Sequence, residues 1–315
     1  GNPMEKTFVE TPYNFDEIEK YVVLDKKKVT DMILVADVCF IYDTCAIRNH
    51  AKIYNINPFL SYIKSKKGVV IITRTVLLEM CSKDHKMWRE HIDFIKKLYD
   101  EGIRVLIFNE EDSLKCLRKV YSYSEEELNI FLKYALRTAR KWKGTVDEII
   151  ANSGENMIQK LCGNKISSRT ELFSAFFQMA RAGRKSEDNM AEELFMVCIA
   201  ILSNIPDRNE YKYIIISEDR KFIRKLVMMS ENLEKHTGAK RCSLLTTPAL
   251  CQLLIKEGLI NTIMELQNIL DCTYQDRNIK VCCSEEYDLK PKEKDFDKEK
   301  LADKLLYDAN FTIYY

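Results

Sequence analysis

The chain has 315 residues, 46% of them hydrophobic, enough for one large α/β domain with appendages or for two modest domains with proper cores. Its 49 Lys+Arg against 48 Asp+Glu leave a net charge of +1, so bulk electrostatics favour neither nucleic acid nor a membrane surface, and any such affinity has to be local. Eleven cysteines, several inside apolar runs (Cys39, Cys81, Cys198, Cys251) and none in a C-x-x-C pair, speak against a disulfide scaffold or a zinc site. Reduced thiols in a cytoplasmic protein are expected. With no apolar run near the ~20 residues that span a bilayer, and none of the zones of a signal peptide at the N-terminus, no membrane partner is expected.

In chain order, residues 1–34 form a charged lead-in with a short apolar patch at Tyr21-Val22-Val23-Leu24. The first strong signal is the run from Val35 to Tyr42, ending at Asp43-Thr44, which has the continuous apolar character of a strand covered on both faces. A helix near 57–66, the run Val69-Val70-Ile71-Ile72, a helix from about Thr75 through Met80 and another over 84–101 follow. Further strand-like runs stand at Arg104–Phe108, Tyr213–Ile216 and Ser243–Leu245. Five strands alternating with helices predict an α/β fold, a three-layer α/β/α sandwich around a mainly parallel five-stranded sheet. Its domain would span 35–260.

About a hundred residues between Asn109 and Tyr213 show helical periodicity and no convincing strand, more than one crossover helix needs. A helical insertion over about 113–185 is expected. Its segment 132–185 holds eleven Lys/Arg, Lys160 and Lys165 among them, against four acids, a surplus of +7. A phosphate-tracking surface is one reading, with Arg137, Arg140, Lys141, Lys143, Arg181, Arg184 and Lys185 as nucleic-acid contacts and Trp142 as a stacking platform. A helical bundle whose polar face happens to be basic is the other. The C-terminal extension, 261–315, reads as a helix, a strand-like piece at Cys282-Cys283, a charged stretch expected to be a solvated helix, and an aromatic end. The insertion and this extension are where a homo-oligomer or a protein partner would attach.

Catalytic groups of a doubly wound sheet collect beyond the carboxyl ends of its strands. Asp43 and Asp219 each follow a buried run, Glu79 lies on a helix starting at the same edge, and Asp188, Glu192 and Glu193 open a long apolar helix; Asp188 and Glu192, four apart, share a face. Carboxylates gathered this way repel one another unless a divalent cation neutralises them, and oxygen ligation suits Mg²⁺ or Mn²⁺, whose chemistry is phosphodiester hydrolysis. Thr44 and Ser217 could support the centre by hydrogen bonding, or could merely satisfy nearby backbone. Arg48, Arg220 and Lys221, next to the acidic motifs, could hold phosphates or could simply be surface charges. The bland readings are a helix N-cap for Asp43 and favourable helix-start charges for Glu192 and Glu193; Glu218 reads as a bystander.

Together, Phe40-Ile41-Tyr42-Asp43-Thr44-Cys45, the stretch Ile71 to Glu79, Ile216-Ser217-Glu218-Asp219 and Ser243 to Leu250 resemble the motifs of the PIN-domain family, over about 35–113 and 186–258. The family usually has an Asp at the third motif, where this chain offers Glu192 and Glu193 with Asp188 one turn earlier, and Glu192 is favoured because Phe195, Met196 and Ile199 continue its face. The resemblance implies an Mg²⁺- or Mn²⁺-dependent endonuclease, expected to cut single-stranded RNA, with Asp43, Glu79, Glu192 and Asp219 as catalytic residues and Asp188 and Glu193 as further candidate metal ligands. The alternative is a catalytically degraded RNA-binding or assembly module. A phosphatase is disfavoured because Cys45 stands where its second Asp would be, and dinucleotide binding because Asp43-Thr44-Cys45-Ala46 has no glycine.

Overall fold

The computed structural model describes residues 10–120, 124–152, 169–185, 188–205, 211–239 and 241–315; Lys160 and Lys165 of the basic segment lie outside them. The apolar runs form a parallel sheet of six strands: β1 (Val22–Val23), β2 (Cys39–Tyr42), β3 (Val69–Thr73), β4 (Val105–Phe108), β5 (Tyr213–Ile216) and β6 (Ser243–Leu245). Their order is β1-β4-β3-β2-β5-β6. Two corrections follow. The sheet has six strands instead of five, because Val22–Val23 of the lead-in pairs with Val105 and Leu106 and so extends the fold to before residue 35. The first long run is a strand only from Cys39; Val35 ends a helix, α1 (Lys26–Val35), capped by the Asp25 side chain.

The strands alternate side chains between two cores, as pleating requires. Phe40, Tyr42, Val70, Ile72, Ile214 and Ile216 pack into one. Cys39, Ile41, Val69, Ile71, Tyr213 and Ile215 pack into the other. Burying each such side chain contributes roughly 1.5–3 kcal/mol, which is why runs with no polar alternation fold this way. The first core is shared with α2 (Thr44–Ala51), α3 (Asn57–Ser65), α4 (Arg74–Glu79) and α5 (Arg89–Asp100). The second is closed by helices between β4 and β5, namely α6 (Asp112–Val120), α7 (Glu125–Arg140), α8 (Thr145–Asn152), α9 (Arg169–Ala182) and α10 (Met190–Leu202). Helices on both faces are compatible with the expected three-layer stack. Among the described residues the stretch from β4 to β5 contains no strand.

After β5 come α11 (Arg220–Thr237), β6 and α12 (Thr247–Lys256), then α13 (Ile263–Tyr274). The charged stretch beyond is only partly a helix: Lys292–Phe296 is an edge strand, β8, of a three-stranded antiparallel sheet with β7 (Ile279–Ser284) and β9 (Thr312–Ile313), and α14 (Lys298–Tyr307) lies between β8 and β9. Leu270, Ile279, Val281, Leu301 and Phe311 join the first core, so the C-terminal segment packs onto the main sheet's helices.

Candidate active site

β2 and β5 are hydrogen-bonded neighbours in register from Cys39↔Tyr213 to Tyr42↔Ile216, which brings their carboxyl ends, and hence Asp43 and Asp219, to one edge of the sheet. Asp43 caps α2, accepting the Thr44 amide at 2.8 Å, and Asp219 caps α11, accepting the Phe222 amide at 3.0 Å. The N-cap reading of Asp43 is thus correct as far as it goes, but the other oxygen of Asp43 accepts the Ser217 hydroxyl at 2.8 Å. Ser217 in turn accepts the Asp219 amide at 3.1 Å. Glu79, the last residue of α4, receives the Thr44 hydroxyl at 2.9 Å. Both hydroxyls therefore orient carboxylates.

Glu79, Asp188, Glu192 and Asp219 line one cavity of about 400 Å³, with Arg48, Arg184 and Lys185 on its walls. Asp43 lies beneath it, fully buried. Burial pushes the Glu192 carboxyl up to about 9, and the charges of Asp43, Glu79 and Asp219 push the same way. Burial raises Glu79 to about 7, opposed by the Thr44 hydroxyl and reinforced by Asp43. Asp43 is raised as well, by burial first, with Asp219 adding to it. One buried oxygen of Glu192, Oε2, has no hydrogen-bond partner. As the side chains stand, no three His, Cys, Asp or Glu groups among the described residues form a cation-ready cluster. The acids surround the cavity without closing on a single point. Comparison with protein-family models, curated proteins and solved structures returned no match.

The third-motif acids separate. Glu192 faces the other carboxylates, while Glu193, one residue and about 100° further round the helix, packs its carboxylate against Gly144 at the start of α8. Burial pushes Glu193 up to about 7, and the backbone amides of Val146 and Thr145 pull it down. Both Glu193 oxygens are buried with no partner at hydrogen-bond geometry, those amides included, but they lie against Gly144 and not on the cavity that Glu79, Asp188, Glu192 and Asp219 line. Asp188 lines the cavity but spends its oxygens on the Lys185 and Met190 amides, at 2.6 and 3.1 Å.

Several basic candidates need correction. Arg181 is completely buried and ion-paired to Glu10, Glu110 and Glu111, each at 2.7 Å, so it ties α9 to the loop after β4 instead of meeting a ligand. Trp142 is 6% exposed, donates its indole N–H to Met196 Sδ and cannot stack a base. Lys221 and Lys225 lie over its ring, at 5.0 and 5.1 Å from the centroid. Arg220 reaches Glu293 and the Lys280 carbonyl in the C-terminal sheet. Arg137, Arg140, Lys141 and Lys143 do share a surface cavity of about 440 Å³, although Arg140 is paired with Asp147.

Sequence reading missed two contributors, Cys45 and Glu218, and left open what Arg48 does. Cys45 donates its thiol to Asp43 at 3.4 Å and accepts the Glu218 amide at 3.3 Å; its position two residues after Asp43 was the available signal. Glu218 is no bystander, since it accepts the Thr247 amide at 2.6 Å and the Tyr274 hydroxyl at 2.7 Å, joining the strand-end loop to α12 and α13. Arg48, on α2, donates to the Glu79 carbonyl at 3.1 Å.

Proposed function

We propose that the chain is a PIN-like, Mg²⁺- or Mn²⁺-dependent endonuclease that hydrolyses phosphodiester bonds, with single-stranded RNA as its substrate. The observation that supports this most is Glu192 Oε2, a buried carboxylate oxygen without a partner, facing Asp43, Glu79 and Asp219. Carboxylates desolvated together need either protons or a cation, and an oxygen-only donor set suits a hard divalent ion. Asp43, Glu79, Glu192 and Asp219 would hold it, with Asp188 at the margin. Such an ion would polarise the phosphoryl group and lower the pKa of water for in-line attack.

The chain's own groups supply the rest. Ser217 fixes Asp43 and Thr44 fixes Glu79, so two acids keep their orientation as charge changes around them. Arg48, Arg184 and Lys185 on the cavity wall would hold the neighbouring phosphates. The basic surface of Arg137, Lys141, Lys143 and Lys221 would track the strand further out. The helices between β4 and β5 then stand as an insertion in a PIN-like core.

The competing reading, a non-catalytic RNA-binding or assembly module, is favoured by one observation: no three ligating groups among the described residues are already gathered into a cluster able to hold an ion. Incubating labelled single-stranded RNA and DNA with the protein in Mg²⁺, Mn²⁺ or EDTA separates the two. Metal-dependent cleavage lost in Asp219→Asn supports the nuclease; RNA binding without cleavage in any metal supports the module.

A further inference from the structure

A second cavity, of about 460 Å³, adjoins the acidic one and shares Cys45 and Asp219 with it. Its volume lies in the range of small-ligand sites. Its far wall comes from the C-terminal segment: Tyr274 at the end of α13, then Arg277, Asn278 and Lys280 leading into β7. Arg277 and Lys280 are exposed, and neither has a carboxylate partner among the described residues. That sets them apart from Arg220 and Arg224, both paired with Glu293, and from Lys294, paired with Glu285 and Asp288. The wall is fixed in place, because Glu218 grips Tyr274 on one side and Arg220 donates to the Lys280 carbonyl at 2.8 Å on the other.

We propose that this cavity is a nucleotide subsite, in which Arg277 and Lys280 hold a backbone phosphate of the single strand next to the phosphodiester presented to the acidic cavity. The proposal rests on the nuclease reading. Two cations with no carboxylate partner among the described residues, Arg277 donating only to the Thr273 carbonyl at 3.5 Å, suit a ligand that has one phosphate at the acids and another nearby, which a polynucleotide supplies and an isolated phosphate does not. The C-terminal segment is then part of the substrate-binding surface, and fixes which strand direction enters the site.

The test compares the full chain with Arg277→Ala/Lys280→Ala and with Lys96→Ala/Lys97→Ala, an equal charge change on α5, whose last turn adjoins the opposite edge of the sheet. Binding of a short labelled oligoribonucleotide is followed in EDTA by fluorescence polarisation across a salt series, with the matching DNA as a second arm. The first variant should bind about tenfold more weakly, with a salt slope shallower by about 0.7, the value for one lost phosphate contact on a single strand. In Mg²⁺ its KM should rise while kcat holds, RNA and DNA binding should weaken alike, and Arg277→Lys/Lys280→Arg should recover most of the affinity. Since both residues are exposed, its thermal melt should match the parent; if it does not, the exchange variant gives the decision. Unchanged binding and slope in a parent that binds and cuts would overturn the subsite alone. A parent that neither binds nor cuts would remove the nuclease reading, and the subsite with it.

Discussion

On the nuclease reading, Glu192 is the residue on which the chemistry of this centre turns. Its carboxyl, held near 9 by burial and by three neighbouring acids, carries a proton at neutral pH when no cation is present, and Glu79 near 7 is about half protonated. A divalent ion binding there has to displace those protons. Titration calorimetry with Mn²⁺ at neutral pH, in buffers of different ionisation heat, should report release of about one to two protons per ion. Binding with no proton release would mean that Glu192 stays outside the coordination sphere. Ion affinity, and with it cleavage, should climb as pH rises from about 6 to 9. Asp219→Asn keeps the cap on α11 but removes a charge, so cleavage should fall by about 10² or more while RNA affinity holds or rises; an equally active variant would exclude Asp219 from the centre. Most of this was legible in the sequence, because an acid straight after a buried apolar run can only stand at the strand's end. The split between Glu192 and Glu193 was legible only in part: helical periodicity favours Glu192, but the seat of Glu193 against Gly144 depends on a residue far away in sequence.

At the scale of elements, the helices between β4 and β5 are anchored by groups that read in the sequence as ligand contacts. Trp142 lies among Arg140, Lys141 and Lys143 along the chain, yet the turn between α7 and α8 rotates it inward onto Met196 and Phe222 while the cations stay outside. Trp142→Ala should therefore destabilise the fold by about 3–5 kcal/mol in denaturant melts and leave the salt slope of RNA binding unaltered. A shallower slope with an intact fold would restore a binding role. Arg181→Ala would strand Glu110 and Glu111 in the interior, and removing one member of such a buried group costs about 3–5 kcal/mol. The partners stand some seventy residues away in sequence, which is why Arg181 looked like any other basic residue. The central strands were legible because unbroken Ile, Val and Phe runs have few other uses. β1 escaped notice because two residues make no pattern, and β8 because an edge strand set with Lys, Glu and Asp has the composition of a solvated helix.

On the nuclease reading, the stability of the whole molecule depends on pH and cation together. In the unfolded chain these carboxyls titrate near 4.3, whereas folding without a cation raises Glu79, Glu192 and Glu193. The folded state then binds more protons than the unfolded one between about 4.5 and 9, so cation-free stability should decline as pH rises through that window. Mg²⁺ or Mn²⁺ should remove much of the slope, giving a thermal shift that grows with pH and is small at pH 5. Scanning calorimetry in EDTA and in Mn²⁺ over this range checks it, and a shift independent of pH would mean that cations bind elsewhere.

The sheet order has a last consequence, in the life of the chain as it is made. β5 leaves the ribosome long after β2, β3 and β4, with the helices from Asp112 to Leu202 in between, and yet it inserts beside β2, the oldest of the central strands. Until that happens Asp43 has lost neither its exposed flank nor its distance from Asp219, and Ser217 is not there to hold it. Non-local pairing of this kind is slow and comes late in folding. A nascent or truncated chain ending before Tyr213 already carries Asp43, Glu79, Asp188 and Glu192 but lacks Ser217 and Asp219, so the acidic cavity is completed only when β5 has been made and has inserted beside β2.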